Sequence, residues 1–342
     1  MLANPLFVSP PFSISIEKEN NVMALSLLFI VLTMHARISG AFSPAATVAP
    51  TNQQHPPKST TTTSLFSSIL PTTNALFTQV VSDVDDTLKS SGGVNVAGVN
   101  LGGVDIQYER GDVYPGVAQF MLEVSLGTSS TNTDRVSGRV EQCPPKVAIL
   151  TARAEEFKAA LELKDDSKIA KALRQAAQSM GIQNWGLGPV LYGSVAEWIV
   201  QNKKGLRKFT NFERLLEQDP TGTILQYVYV GDTGELDQEA GETMLREYPE
   251  VVKAIFLHKV TNEEGPVIVP PPRLINGRPI IFFRTYVGAA TSAMQLGLMD
   301  VDGLQRVIDS ARSMLKDVAK TSDKWTDLER DIQAANRIVF QS

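Results

Sequence analysis

From about Leu76 to Gly288 the sequence alternates short runs rich in β-branched and aromatic residues with longer stretches of helical periodicity. The strand candidates are Phe77–Ser82 (FTQVVS), Lys146–Leu150 (KVAIL), Val190–Tyr192, Gln226–Val230 (QYVYV), Val252–Leu257 and Ile280–Phe283. Helical segments lie between them, at Ala154–Leu163, Lys168–Met180 and Phe212–Gln218. No other feature constrains the fold as much: the alternation predicts the α/β class, with a parallel sheet covered by helices on both faces. Asn211 is the expected N-cap of the Phe212–Gln218 helix. Pro115-Gly116 opens another helix through Phe120 and Leu122, since proline is compatible with a first turn. Gly92–Asp112, glycine-rich with short apolar alternation, reads as a hairpin or flap, and the polar Gly127–Pro145 as a surface loop. Beyond Gly288 the pattern turns helical, over Gln305–Ala319 and Trp325–Ile338. This tail is expected to pack on the domain or on a partner rather than to carry chemistry.

The region before the first strand has a different character. Its longest apolar run, Met23 to Met34, spans about a dozen residues, short of the roughly 20 that a membrane-crossing helix needs. It fits the core of a signal peptide, followed by small residues at Ser39, Gly40 and Ala41 where a peptidase could cut. Lys18 is offset by Glu17 and Glu19, so Met23 is a candidate initiator. From Ala41 to Ser82 there is no Asp or Glu, and the hydroxyl-rich KSTTTTSLFSS begins at Lys58, a composition that reads as a transit peptide. The junction Gly40-Ala41-Phe42-Ser43-Pro44 resembles the bipartite plastid presequences of algae with secondary plastids. The resemblance implies plastid import; the alternative is a secreted protein with a Thr-rich linker. The chain thus divides into a signal-like segment at 1–40, a transit-like or linker segment at 41–72, a main domain at 73–290 and a helical tail at 291–342.

Composition narrows the chemistry. With 32 Lys plus Arg against 37 Asp plus Glu, the formal net charge is -5, which is not the cationic footprint of a nucleic-acid binder. The single cysteine, Cys143, excludes an intramolecular disulfide and a cysteine-rich zinc site. Three histidines, His35, His55 and His258, make a poor basis for a histidine metal site. Chemistry therefore rests on carboxylates, hydroxyls and lysines.

Four short motifs supply those groups. Asp83-Val84-Asp85-Asp86-Thr87 follows directly on the strand ending in VVS. Ligands of open parallel sheets bind outside the carboxyl ends of strands, so these acids face the expected crevice. Extended backbone has period two and can set Asp83 and Asp85 to one side, where a shared cation or proton must offset their repulsion. That suits a magnesium-assisted reaction with one carboxylate as nucleophile and the other as acid; the competing reading is a carboxylate-rich turn or helix cap. A calcium loop needs Gly where Leu88 stands. The second motif, Ile149-Leu150-Thr151-Ala152-Arg153, ends a strand on a hydroxyl that can bond a phosphoryl oxygen or cap a helix. The third is basic: Lys203, Lys204, Arg207 and Lys208 precede the Asn211–Gln218 segment and read either as solvated surface or as a phosphate-binding cation. The fourth, Gly231-Asp232-Thr233-Gly234-Glu235-Leu236-Asp237, again follows a strand and offers hard oxygen ligands in Asp232 and Asp237.

The order of these motifs resembles the haloacid dehalogenase superfamily of phosphotransferases, over roughly Phe77 to Ala290. Within it, Asp83–Lys89, Lys208–Leu216 and Gly231–Asp237 look like the catalytic domain of actin-patch-associated phosphatidate phosphatases. The chain departs from that narrower pattern after Asp237, where Gln238-Glu239-Ala240-Gly241 stands, and it leaves no room for a further domain between presequence and first strand. The resemblance implies a Rossmann-like parallel sheet with helices on both faces, a small flap, no large cap and a helical C-terminal tail. It implies Asp83 as nucleophile, Asp85 as general acid and base, and Mg2+ held by the Asp83 carboxylate, the Asp85 carbonyl and Asp232. Thr151 and Lys208 are then expected on phosphoryl oxygens, with Lys208 also keeping Asp83 ionised. Asp237 is expected to orient Lys208 or metal-bound water, and Thr87 to buttress the loop. Lys89 is either a contact for a second anionic group or an exposed lysine, and Asp86 a cap or supporting acid. His258 and Cys143 have no role in this scheme.

A carboxylate two residues after the nucleophile favours phosphate over halide chemistry in the superfamily. A small flap leaves the site open to a large substrate, such as phosphatidate at a membrane surface or a phosphoprotein, whereas small metabolites usually need a cap that excludes water. The function expected is a magnesium-dependent phosphomonoester hydrolase. The alternatives are a phosphoprotein phosphatase of the same fold and a catalytically silent scaffold that works through its C-terminal helices.

Overall fold

The computed structural model describes residues 77–340 apart from 94, 97–98, 101–103, 129–142, 155–162, 194–203, 220–223, 235 and 264–266. The presequence readings over 1–40 and 41–72, most of the 127–145 loop and the helix expected across 155–162 lie outside the described residues. Nine strands are described: β1 (Phe77–Ser82), β2 (Asn95–Val96), β3 (Val99–Asn100), β4 (Val147–Ala154), β5 (Leu187–Gly193), β6 (Ile224–Asp232), β7 (Val252–His258), β8 (Arg273–Ile275) and β9 (Arg278–Phe283). Strands β2 and β3 form a separate antiparallel hairpin. The other strands form one sheet in the order β5-β4-β1-β6-β7-β9-β8, parallel throughout except for the β8–β9 edge pair. From β1 the chain steps outward to β4 and β5, then crosses back to lay β6 on the other side of β1. The crevice where the order reverses, outside the carboxyl ends of β1 and β6, is where such sheets bind ligands.

The strands read as continuous apolar runs because both faces are covered. Alternate residues point to opposite sides. Val80, Ile149, Val228, Val230, Phe256 and Phe283 join the larger core, while Val81, Leu150, Tyr229, Ile255, Leu257 and Phe282 join the smaller one. The larger core takes α1 (Val117–Leu126), α2 (Lys168–Ser179) and the C-terminal helices. The smaller takes α3 (Lys204–Glu217) and α4 (Asp237–Glu247). In α2 the buried positions Ile169, Ala170, Leu173 and Ala177 keep a helical spacing, and Ser167 caps the start by accepting the Ala170 N–H at 3.3 Å.

The tail comprises α5 (Tyr286–Gln295), α6 (Val301–Met314) and α7 (Asp323–Val339). Thr285, Asp300 and Ser322 cap them in turn. Of the two expectations for the tail, packing on the domain is what the structure has: Trp325, Leu328, Ile332 and Ala335 are buried in the larger core. The Trp325 indole donates to the carbonyls of Leu315 and Val318 at 3.1 and 3.0 Å, tying α7 to the end of α6. Among the described residues, no helix is long and apolar enough to cross a membrane.

Two boundaries differ from expectation for one reason. The α3 helix begins at Lys204, not after Asn211, so Asn211 is an interior residue that donates to the Leu191 carbonyl rather than an N-cap. Similarly, β4 runs to Ala154, past Thr151, with an irregular register against β5 after Leu150. Thr151 in the one segment and Arg207, Lys208 and Asn211 in the other are polar yet buried, so tertiary partners override the local signal.

Candidate active site

The end of β1 shapes the first loop. Val80, Val81 and Ser82 are fully buried, and the Asp83 N–H still continues the ladder to the Val230 carbonyl at 3.0 Å. The chain then turns tightly, with the N–H groups of Leu88 and Lys89 both donating to the Val84 carbonyl, at 2.9 and 3.2 Å. Val84 and Leu88 anchor the turn in the larger core. Tyr286 from α5 donates to the Thr87 carbonyl at 2.7 Å. His258 at the end of β7 places Nδ1 2.8 Å from the Asp86 carbonyl and Nε2 3.1 Å from that of Arg284. Burial first, and then the nearby Arg284 charge, push His258 down to about 4.

The end of β6 brings the second set. Asp232 is the last residue of the strand and has no exposed surface. Its backbone N–H donates to Asp237 Oδ2 at 3.2 Å, and its Oδ1 accepts the Gly234 N–H. Glycine at 231 is a steric requirement, because a Cβ there would stand 2.6 Å from Asp237 Oδ2 and 2.7 Å from Asp237 Cβ. The loop can therefore fold back and present Asp237, the first residue of α4, beside Asp232.

Lys208 links the two loops. Its ammonium lies 2.9 Å from Asp83 Oδ1 and forms a second, closer ion pair with Asp237. Lys208 sits in the second turn of α3, on the face that also carries Asn211, Phe212 and Leu215, all buried. Lys204, Arg207 and Lys208 thus lie in the first turns of the helix rather than preceding it. The solvated-surface reading fails for Arg207 and Lys208, which are both buried.

Asp83, Asp232, Asp237 and Lys208 are therefore gathered at one point of the crevice. One oxygen from each of the three acids lies within 4.8 Å of the others. Thr151 is buried on β4. Asp85 is only half-buried and pairs with Lys89 at 3.4 Å, so its carboxylate is not one of the three. Thr87 is fully buried, and its hydroxyl has no hydrogen-bond partner among the described residues. Cys143 is exposed, its Sγ 3.5 Å from the Gln183 carbonyl, and burial pushes its thiol up, which disfavours the reactive thiolate.

The trio suits a hard divalent cation. Three carboxylates against one ammonium leave two formal negative charges among four buried side chains. Buried like charges are costly unless something offsets them, and all-oxygen donors are what Mg2+ selects. The structure thus has a parallel α/β sheet with a buried aspartate trio at its switch point that could hold a metal ion. Comparison with protein-family models, with curated proteins and with solved structures returns no match in any of the three.

Sequence reading did not anticipate the network behind this site. Asp86, Asp105, Tyr114, Arg284 and Asp327 are all buried: the Tyr114 hydroxyl bridges Asp86 and Asp105, Arg284 donates to Asp327, and an ion pair at 3.8 Å joins Arg284 to Asp105. The available signal was a third acid, Asp86, inside the first motif, which a cap or supporting role accounted for only loosely.

Proposed function

We propose that this protein is a magnesium-dependent phosphomonoester hydrolase of the haloacid dehalogenase superfamily that works through an aspartyl phosphate, with phosphatidate as substrate and a plastid as its location. The observation that carries the reading is Lys208 held between Asp83 and Asp237, with Asp232 in the same buried group. A nucleophilic carboxylate must stay ionised and must meet an anionic ester, and a buried lysine at 2.9 Å serves both needs.

In the first step an Asp83 oxygen attacks phosphorus, the ester P–O bond breaks, and Asp85 gives its proton to the departing oxygen. In the second, Asp85 takes a proton from water, whose oxygen attacks phosphorus and releases inorganic phosphate from Asp83. Splitting one displacement into two is covalent catalysis, and the proton transfers contribute roughly 10²–10⁴-fold. Asp83 and Asp232, with the Asp85 carbonyl, would hold Mg2+, which when bound supplies positive charge against the repulsion between carboxylate and phosphoester. Asp237 fixes Lys208 so that one donor can neutralise a phosphoryl oxygen, and Thr151 bonds another. Phosphatidate enters through the resemblance of the runs Asp83–Lys89 and Lys208–Leu216, and the plastid through the bipartite presequence.

The test is phosphate release by the purified chain from p-nitrophenyl phosphate, a phosphoserine peptide and phosphatidate in mixed micelles, with and without chelator, alongside Asp83→Asn. The reading expects magnesium-dependent release, fastest on phosphatidate, and a loss of at least about 10³-fold in the variant. Turnover that persists in chelator or survives in Asp83→Asn refutes the chemistry, whereas preference for the peptide refutes only the substrate.

A further inference from the structure

Tyr229 lies on β6, three residues before Asp232, with its ring in the smaller core. The side chain is buried, and its hydroxyl has no hydrogen-bond partner among the described residues. An unpaired buried hydroxyl costs stability that phenylalanine, of the same shape, would not. A group of this kind in a native structure points to a second state in which it is paired.

Sheet register fixes what stands above the ring. Tyr229 is level with Val81 of β1, and both side chains enter the smaller core. Residues two positions on share that face, so Asp83 follows Val81 and the place of Gly231 follows Tyr229. Asp237 fills that place, since a Cβ at 231 would stand 2.6 Å from Asp237 Oδ2. Its carboxylate is therefore the next group along the face from the tyrosine. The helix agrees from the other side. Gly241 comes one turn after Asp237 on α4, and a Cβ there would stand 3.4 Å from Tyr229 Cδ1 and 2.8 Å from Ile255 Cγ2. A larger residue at 241 would lift α4, and Asp237 with it, off the tyrosine. Burial first, and then the Asp237 charge, push the Tyr229 hydroxyl well above the ordinary tyrosine range, so it stays a donor.

In the free protein Asp237 is held by others. Oδ1 takes the Lys208 ammonium, and Oδ2 takes the Asp232 N–H at 3.2 Å. That ammonium is shared, because it also lies 2.9 Å from Asp83 Oδ1. An ammonium has three donors on one rotor, so turning one toward a phosphoryl oxygen swings the other two.

We propose that Tyr229 is a positioning residue: as Lys208 turns toward a bound phosphoryl group, the Tyr229 hydroxyl donates to the Asp237 carboxylate and holds it in place. This role rests on the phosphatase reading above, and in it Tyr229 touches neither substrate nor metal. A hydrogen bond made only in the anion-bound state strengthens anion binding and adds nothing to the free fold.

Tyr229→Phe, which keeps the ring and removes the hydroxyl, tests the role. Without phosphate the variant should melt at or above the wild type, because no paired group is lost. With Mg2+ present, titration calorimetry should show inorganic phosphate binding about tenfold more weakly, and kcat/KM for p-nitrophenyl phosphate should fall by about the same factor. Saturating phosphate should also give the wild type a red-shifted tyrosine difference band in the ultraviolet, as a phenol gains an ionised acceptor, and the variant should lack it. Equal phosphate affinity in the two proteins overturns the role, and so does the absence of that band from the wild type. A lower Tm of the phosphate-free variant, or its failure to fold, overturns it too, because the hydroxyl would then be paired already in the free protein. If the wild type hydrolyses phosphoesters and the variant matches it, only the role of Tyr229 fails. If the wild type neither hydrolyses them nor binds phosphate, the phosphatase reading fails and this role with it.

Discussion

Asp83 and Asp86 stand three residues apart in one motif, are both buried, and belong to two clusters that treat buried acid differently. Around Asp86 the acids meet donors that belong to the fold. Its own carboxylate takes three backbone N–H groups; Asp105 takes a tyrosine hydroxyl, with Arg284 3.8 Å away; Asp327 takes Arg284 and Arg330. Around Asp83 three carboxylates are gathered on one lysine. The first arrangement is self-sufficient and defines a single backbone geometry. The second brings three carboxylates to one point at the carboxyl ends of β1 and β6, a group that could hold a metal ion. Burial alone does not distinguish a structural acid from a chemical one; the source of the neutralising donors does.

The largest break in this contrast should come from Arg284, which lies on the structural side. It donates to Asp327 at 3.1 Å, to the Lys259 carbonyl at 2.7 Å and to Gln107. Burial raises Asp105 above the ordinary aspartate range and Arg284 pulls it back down. Removing the arginine leaves two buried acids short of a partner, so Arg284→Ala should cost about 3–5 kcal/mol of stability. Urea unfolding would measure the loss. Activity per folded molecule should stay within a few fold, and a selective loss of activity at unchanged stability would merge the two clusters.

The two clusters also differed in how far the sequence revealed them. The strand Phe77–Ser82 was readable to the residue because an apolar run meets an acidic motif, a change of character that marks a parallel strand and its carboxyl end. Asp83, Asp232 and Asp237 were legible because strand ends converge on the crevice whatever their separation in sequence. By residue type Lys208 was legible as one cation in a run, and only the resemblance singled it out; its burial goes with that of Phe212 and Leu215 on the same helix, and the polar residues around it hid the start of α3. The α4 helix was missed because its first turn is also the metal-type motif. Of the Asp86 cluster only Asp86 itself was legible, as a cap or supporting acid; its neighbours were not, since Gln107 and Asp327 meet across 220 positions and Arg284 and Asp327 across 43. Such pairs follow from topology, and no local period announces them.

His258 sharpens the comparison through pH. It connects the Asp86 turn to Arg284, and burial pushes it down to about 4. The unfolded ring takes up a proton below about 6.5, the folded ring only below about 4, so between those values the unfolded state holds the extra proton. Stability must therefore fall as pH falls through that window, by roughly 2–3 kcal/mol between pH 7 and 4.5. Other carboxylates titrate nearby, so the informative quantity is the difference between wild type and His258→Gln across the window. Parallel slopes for the two proteins would mean that His258 does not carry this dependence.

The smallest effect concerns the acid excess itself. If two surplus negative charges lie among Asp83, Asp232, Asp237 and Lys208, a bound cation favours the folded state by RT ln(1 + [L]/Kd), roughly 1.4 kcal/mol at ten times the dissociation constant. For a domain of this size that is about 3–5 °C in Tm. Asp232→Asn should invert the pattern. The amide keeps an oxygen for the Gly234 N–H and removes one of the repelling charges. The variant should thus melt at or above the wild type in chelator, yet gain almost nothing from Mg2+. Asp105→Asn makes the opposite control: Asp105 lies in the cluster closed by Tyr114 and Arg284, so the change should lower Tm in chelator and leave the Mg2+ increment intact. Equal responses of the two variants to the ion would mean that the clusters do not differ in the way their donors suggest, because a metal that stabilises through bulk charge alone cannot tell Asp232 from Asp105.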